Sequence, residues 1–324
     1  MTGGGRSRLE ERLGALLSAR RDQGAGAGAG VGSSGTGAGA GLGTGASASA
    51  MIGAGSSSPG RSRRARAELA GLLPGTEVET AHGPLHVHDL VRGVEDRGYA
   101  RVLAKLADAR ARLELVAPGS AAAEFGVMQR HGLEGVLLLD LETAGLAGNP
   151  VFLAGLMTVH PDRIHLRQLL ARNYLEEPAL LAAVAPAVRE RPLLVTYNGK
   201  AFDLPMLVDR ACRHGIPFAP PAAHLDLLHH ARRAYRGRTP NMKLTTLEWL
   251  ICERRRYGDV PGREIPGLFH RFARDGDPTA MAAVLHHNAL DLVTLAELLA
   301  HLVPHPPGQR FVPDEPELAA AFDA

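Results

Sequence analysis

Four acidic residues stand in apolar sequence where a lone carboxylate would be costly: Asp140 and Glu142 in VLLLDLETAG, Asp203 in VTYNGKAFDLP, and Asp291 in HHNALDLVTL. An unpaired ionised carboxylate in such surroundings shifts its pKa and goes neutral. Several of them together therefore suggest a divalent cation and a reaction on phosphate groups. Phosphodiester hydrolysis needs an activated water, stabilised charge on the phosphorus and a stabilised leaving oxygen, and two Mg²⁺ or Mn²⁺ ions about 3.5 to 4 Å apart supply all three. Hard oxygen ligands suit those ions, and four carboxylates with no paired cysteine fit them better than zinc. A histidine that is neutral near pH 7 can take the proton from the attacking water, and His286 and His287 lie just before Asp291.

These groups need a frame. The run from Val136 to Leu139 reads as a strand buried on both faces, and its period of two sends Asp140 and Glu142 to one side with Leu141 on the other. Two further apolar strands are expected at Phe152 to Val159 and Ile164 to Leu169, followed by the helical PALLAAVAPAVRE and the strand PLLVTYNG. A helix from Pro205 to His214, the segment HLDLLHHAR and a helical remainder ending near Val303 complete the pattern. Three strands first, then alternating helix and strand, argue for an α/β sheet that is partly antiparallel.

The chain has 324 residues, enough for one full domain with a sizeable core and a smaller subdomain. Residues 1–22 place Leu9, Leu13, Leu16 and Leu17 on one face of a short amphipathic helix whose partner is left open. Residues 23–63 are almost wholly Gly, Ala and Ser, a composition expected to form a disordered linker. Residues 64–123 read as a small accessory subdomain, with a hairpin turning at Gly83 and Pro84 and a helix carrying Tyr99, Val102, Leu103 and Leu106. The main domain is expected at 124–304 and a tail at 305–324. The opening residues hold no apolar signal core, and Cys212 and Cys252 are too few for a disulfide framework, so a cytoplasmic protein is the default. No apolar stretch reaches the roughly 18 to 20 residues needed to span a bilayer.

The carboxylate motifs resemble those of the DEDD exonuclease superfamily, which has the ribonuclease H-like fold, and the flanking sequence is similar to its YprB-type branch. The resemblance runs from about Leu72 to Val303. Its specific parts are DLETAGLAGNP at 140–150, YNGKAFDLP at 197–205, LTTLEWL at 244–250, GDVPGREIP at 258–266 and HHNALDLVTL at 286–295. It implies a mixed five-stranded sheet flanked by helices, with Asp140 and Glu142 as first-motif metal ligands, Asp203 as the second-motif acid and Asp291 as the last ligand. It also implies a histidine base just before Asp291. The doubled histidine meets both spacings known in the superfamily.

The position of that histidine follows from the helix. DPTAMAAVLHHNALDLVTLAELL reads as one long helix, on which residues four apart share a face and residues five apart diverge by about 140°. That places His287 beside Asp291; a loop before Asn288 would instead free His286 to swing over the metals.

The basic residues Arg232, Arg233, Arg236, Arg238 and Lys243 lie in ARRAYRGRTPNMK with no acid among them, and Tyr235 is a stacking candidate within the run. They fit a groove that tracks a phosphate backbone, and Arg254 to Arg256 with Tyr257 would extend it. Asn198 and Lys200 stand next to Asp203, where Lys200 either reaches a phosphate as a point charge or is a solvated loop lysine. Aromatic residues make up only 4% of the chain, so base stacking is expected to be sparse.

Each feature has a plainer reading: Asp203 as a helix cap, Glu142 as a strand-end charge, and Asp291 as a rim residue of a core helix. Asp226 is either a supporting acid or a strand-edge residue. His229 and His230 lack a matching zinc-ligand pair, and the HD pair His88–Asp89 falls on a hairpin strand. The conjunction favours a metal-dependent phosphodiester hydrolase acting on DNA or RNA with no membrane partner, and the resemblance implies a 3′-5′ exonuclease. The alternatives are a structure-specific endonuclease, or a nucleic-acid-binding scaffold with little turnover.

Overall fold

The computed structural model describes Leu73 and residues 75–146 and 148–306. The expected helix at 1–22, the linker at 23–63 and nearly all of the 305–324 tail lie outside the described residues.

Eight-residue alternation of buried side chains builds the centre of the sheet. In β3 (Val136–Thr143), Val136 and Leu138 pack into one apolar cluster, while Leu137, Leu139 and Leu141 enter the other on the opposite face. Its neighbours are β4 (Val151–Val159), antiparallel, and β6 (Leu193–Thr196), parallel. β5 (Arg163–Leu170) pairs antiparallel with β4, and β7 (His224–Asp226) pairs parallel with β6. The mixed α/β sheet expected from the sequence is present, with strands buried on both faces as apolar runs of this kind require.

The sheet has seven strands rather than five. β1 (Thr76–Thr80) and β2 (Gly83–Gly93) form an antiparallel hairpin, and β2 pairs along eight residues with β5. The order is β1-β2-β5-β4-β3-β6-β7. The hairpin turns at Ala81 and His82, one step before the expected Gly83–Pro84, because Thr80 is already the register partner of Gly83. The 64–123 segment thus supplies sheet edge and covering helix to the same sheet. Its helix α1 (Arg97–Glu114) buries Val102, Leu103, Leu106, Ala109 and Leu113 against it, and the short α2 (Ala123–His131) follows.

α3 (Glu177–Glu190) covers the other face, contributing Ala179, Leu180, Leu181, Val184 and Val188 to the core. α4 (Asp203–Arg213) starts two residues earlier than expected, at the acid itself. α5 (Leu227–Tyr235) and α6 (Leu244–Leu250) follow, then α7 (Ile265–Asp275), whose Phe269 stacks on Phe152 of β4 at 4.1 Å between ring centroids. The chain then forms α8 (Thr279–Leu302), unbroken through both histidines. Among the described residues no helix is long and apolar enough to cross a membrane.

Candidate active site

Three chain segments bring the acids together. β3 ends in Asp140 and Glu142, both half-buried on one face with Leu141 buried between them, as the two-residue period requires. Asp203 opens α4 and is buried. No side chain caps that helix from Phe202, and the backbone amides of Asp203 itself and of Leu141 in β3 partly offset the cost of burying the Asp203 carboxylate. α8 contributes His287 and Asp291 one turn apart, with His287 Nε2 3.3 Å from Asp291 Oδ2. Glu142, His287 and Asp291 each offer a ligand atom, all within 4.8 Å of one another.

The electrostatics explain why such a cluster needs positive charge. Burial pushes the Asp140 carboxyl well above the usual range, and Asp291, Glu142 and Asp203 add to the shift. Burial likewise carries Glu142 up to about 8, with Asp291 and Asp203 contributing while His287 opposes. Asp203 rises to about 7, again chiefly by burial. Carboxylates that resist ionisation together are a fitting donor set for a hard divalent cation, which neutralises them.

His287 responds in the opposite sense. Burial alone would lower it, but hydrogen bonds with Asp259 and Asp291, together with the charges of Asp291 and Glu142, carry it up to about 10. Its Nδ1 lies 2.9 Å from both oxygens of Asp259. Asp259 in turn accepts from Arg256 Nη1 at 3.1 Å, and Arg256 also donates to Asp291 and to the buried Glu248. Arg256, Asp259, His287 and Asp291 therefore close a ring of alternating charge. In this state the imidazole and the guanidinium supply the positive charge at Asp291. His286 is half-buried one position earlier on the same unbroken helix.

Several residues of this site escaped the sequence reading. Asn288 is fully buried; its amide donates to Asp140 Oδ2 at 2.8 Å and to the Asp140 carbonyl at 3.2 Å. Its Oδ1 accepts from Gln168 at 2.9 Å, and Gln168 also donates to the Leu285 carbonyl and meets buried His88 at 3.1 Å. A polar chain thus runs from β2 through β5 and α8 to the acidic face of β3. The available signal was a polar residue inside a core helix, between His287 and Asp291. Asp259 lies inside GDVPGREIP, a stretch whose sequence alone gives that acid no role.

The expected nucleic-acid-contacting residues divide. Arg232, Arg233, Arg236, Arg238 and Lys243 are exposed. Lys243 lines a groove of about 990 Å³ that also includes Trp249, Arg255, Asp259, Arg263 and His287, so the basic residues reach the histidine edge of the site. Tyr235 is 3% exposed and packs in the core, so it cannot stack on a base; the Leu227, Leu228, Ala231 and Tyr235 face of α5 turns inward as a unit. Arg254 and Arg256 also face inward, paired with Glu248, so only Arg255, stacked over Trp249 at 5.1 Å, and exposed Tyr257 remain outward there. Asn198 adopts φ 65°, and its N–H and that of Lys200 donate to Asp226 at 2.8 and 3.0 Å. Buried Asp226 therefore braces the turn that precedes Asp203, while Lys200 Nζ lies 3.4 Å from Glu124. His229 is 3.8 Å from Asp226 with no third ligand near it among the described residues, and Asp89 of the HD pair binds Arg167 and His165.

A mixed sheet with acids toward the end of an inner strand, faced by a helix carrying histidine and aspartate, defines a protein of ribonuclease H-like architecture. Residues 137–303 match the RNase_H_2 family of the RNase_H superfamily, and the chain belongs to that family. It is 37% identical over 172 residues to the "Uncharacterized protein YprB" of Bacillus subtilis (strain 168), covering 52% of this chain and 41% of that protein. The chain thus spans less than half the length of that curated relative. A family B DNA polymerase from the hyperthermophilic archaeon Pyrobaculum calidifontis is similar over 52% of this chain and 24% of its own, with a TM-score of 0.44 and 17% identity.

Proposed function

We propose that this chain is a metal-dependent 3′-5′ exonuclease that hydrolyses the phosphodiester bonds of DNA or RNA. The observation that carries this reading is the convergence of Glu142, His287 and Asp291 within 4.8 Å, beside Asp140 and Asp203, toward the end of β3. Family membership supports a nuclease-type activity and divalent metal; direction of attack, ion identity and ion number belong to this proposal.

Asp140, Glu142, Asp203 and Asp291 would hold Mg²⁺ or Mn²⁺. Two such ions, when bound, activate water and offset charge on the phosphorus and the leaving oxygen. A cation held by Glu142 and Asp291 would offset the negative charge that keeps His287 protonated, and Nε2 of His287 would then accept a proton from water. Asn288 holds the Asp140 carboxylate in place. Exposed Lys243 and the arginines of α5 and the following loop would carry the nucleic-acid backbone toward the groove.

The test uses 5′-end-labelled single-stranded and duplex DNA and RNA with Mg²⁺, Mn²⁺ or chelator. A ladder shortening one nucleotide at a time, seen only with divalent metal, supports the reading. Internal cuts would convert it to an endonuclease, and binding without cleavage to a scaffold.

A further inference from the structure

One loop residue outside the carboxylate set faces the imidazole from behind. Asp259 lies between α6 and α7 and is half-buried, its Oδ1 and Oδ2 each 2.9 Å from His287 Nδ1. The opposite ring nitrogen, Nε2, lies 3.3 Å from Asp291 Oδ2, and His287 belongs to the 4.8 Å cluster that includes Glu142. We propose that Asp259 is a positioning residue for hydrolysis, fixing the tautomer and ring orientation of His287 so that Nε2 faces the reacting water. This inference rests on the nuclease reading above.

Imidazole chemistry is two-sided. A neutral ring carries one N–H and one lone pair, and the partner of one nitrogen decides which nitrogen keeps the proton. A carboxylate only accepts, so Asp259 holds a proton on Nδ1; Asp291 makes the same demand on Nε2, and a cation on Asp291 would relieve it and leave the lone pair there. Without that partner the ring could present N–H to the site or turn about χ2. Asp259 is itself anchored: Arg256 donates to it at 3.1 Å, and its Oδ1 accepts the Val260 N–H at 2.9 Å. Positions on both sides of it are also tied down, because Arg256 pairs with Glu248 of α6 and the residues that follow enter α7. The loop is thus held at both ends and aims one carboxylate at the histidine.

Two measurements on the full chain test this. In the first, ¹⁵N-histidine-labelled protein is compared with Asp259→Ala and Asp259→Asn. With Mg²⁺ present, wild type should show a hydrogen-bonded Nδ1–H and an unprotonated Nε2 for His287, the Nδ1–H weakened in Asp259→Asn and lost in Asp259→Ala. The second is a double-mutant cycle on turnover with Mn²⁺. Asp259→Ala should lower kcat by about 10- to 100-fold, part of the roughly 10²- to 10⁴-fold that a positioned base contributes, with KM unchanged. Asp259→Asn, which keeps an acceptor, should recover part of the loss. Adding Asp259→Ala to His287→Ala should cost nothing further, because the residue acts only through that ring. Full additivity in the double variant, or a wild-type kcat in Asp259→Ala, overturns the proposal. Should Asp259→Ala fail to fold, the Asp259→Asn cycle decides on the same criterion. A wild type that binds nucleic acid but never cleaves it removes the nuclease reading instead, and the labelled-histidine spectra then decide on their own whether Asp259 fixes the ring.

Discussion

Gly155 and Asn288 meet where β4 passes beneath α8: a Cβ on Gly155 would lie 2.2 Å from Asn288 Oδ1 and 2.7 Å from the Leu292 side chain. Asn288 cannot simply step aside, because the same side chain donates to Asp140 and accepts from Gln168. Gly155 is also the register partner of Asp140. The missing side chain is what lets the helix approach the strand closely enough to reach the carboxylate. Gly155→Ala is expected to destabilise the fold by about 1 to 3 kcal/mol, as overpacking of a tight core does. It should also displace the Asp140 contact and lower turnover. Melting and kcat measured on the same preparation check this; a variant that melts and turns over like wild type would show that the helix can move away freely.

The parts of this architecture legible in sequence were those that repeat. The period of two in VLLLDLET put Asp140 and Glu142 on one face, and the continuous helical pattern kept His287 one turn from Asp291; both match the structure. What was not legible depends on pairing across distance. The strand carrying His88 joins β5 instead of standing apart, which no local pattern records. Tyr235 sits in a basic run, yet its helix turns that position inward. Arg256 reads in sequence as a surface cation, but three acids, Glu248, Asp259 and Asp291, determine where it points. Gly155 and Asn288 are meaningful only together.

Metal and pH should act on stability in opposite directions. An acid with a higher pKa in the fold than in the unfolded chain binds more protons when folded. Its contribution to stability is full below the unfolded value and is lost as pH rises through the folded one. That window runs from 3.8 to about 7 for Asp203 and from 4.5 to about 8 for Glu142. His287, raised from 6.5 to about 10, loses its contribution in the same direction at higher pH. Metal-free protein should therefore melt progressively lower between about pH 5 and pH 8. Mn²⁺ replaces the protons, so its stabilising effect should be larger at the upper end. Asp140→Asn should raise the melting temperature of the metal-free protein at pH 8 and remove most of the Mn²⁺ effect. An equal Mn²⁺ shift at both pH values in wild type would contradict this.

The two histidines should separate cleanly. α8 is helical through both, so His287 faces Asp291 and His286 does not share that face. His287→Ala is expected to lower kcat by about 10² to 10⁴, the range for losing a general base. His286→Ala should stay close to wild type. Single-turnover rates at saturating Mn²⁺ measure chemistry without product release; a severe loss in His286→Ala with His287→Ala unaffected would sink the assignment.

The exposed cations make the last prediction. Arg232, Arg233, Arg236 and Arg238 have no acid among them in sequence and face solvent, so they are free to meet phosphates, each contact releasing counterions. Arg254 and Arg256 are committed to Glu248 and the site ring and should behave differently. Replacing the four exposed arginines by Ala should weaken binding of single-stranded oligonucleotides regardless of sequence. It should also flatten the slope of log K against log salt by as much as about 3, at roughly 0.7 per phosphate contact. Melting should change little, because none of the four is buried. Arg256→Ala should do the reverse, lowering the melting temperature and disturbing Asp291 while leaving the salt slope near wild type. Binding titrations at several salt concentrations decide between them: a slope unchanged in the fourfold variant would move the nucleic-acid path away from α5 and the loop that follows it.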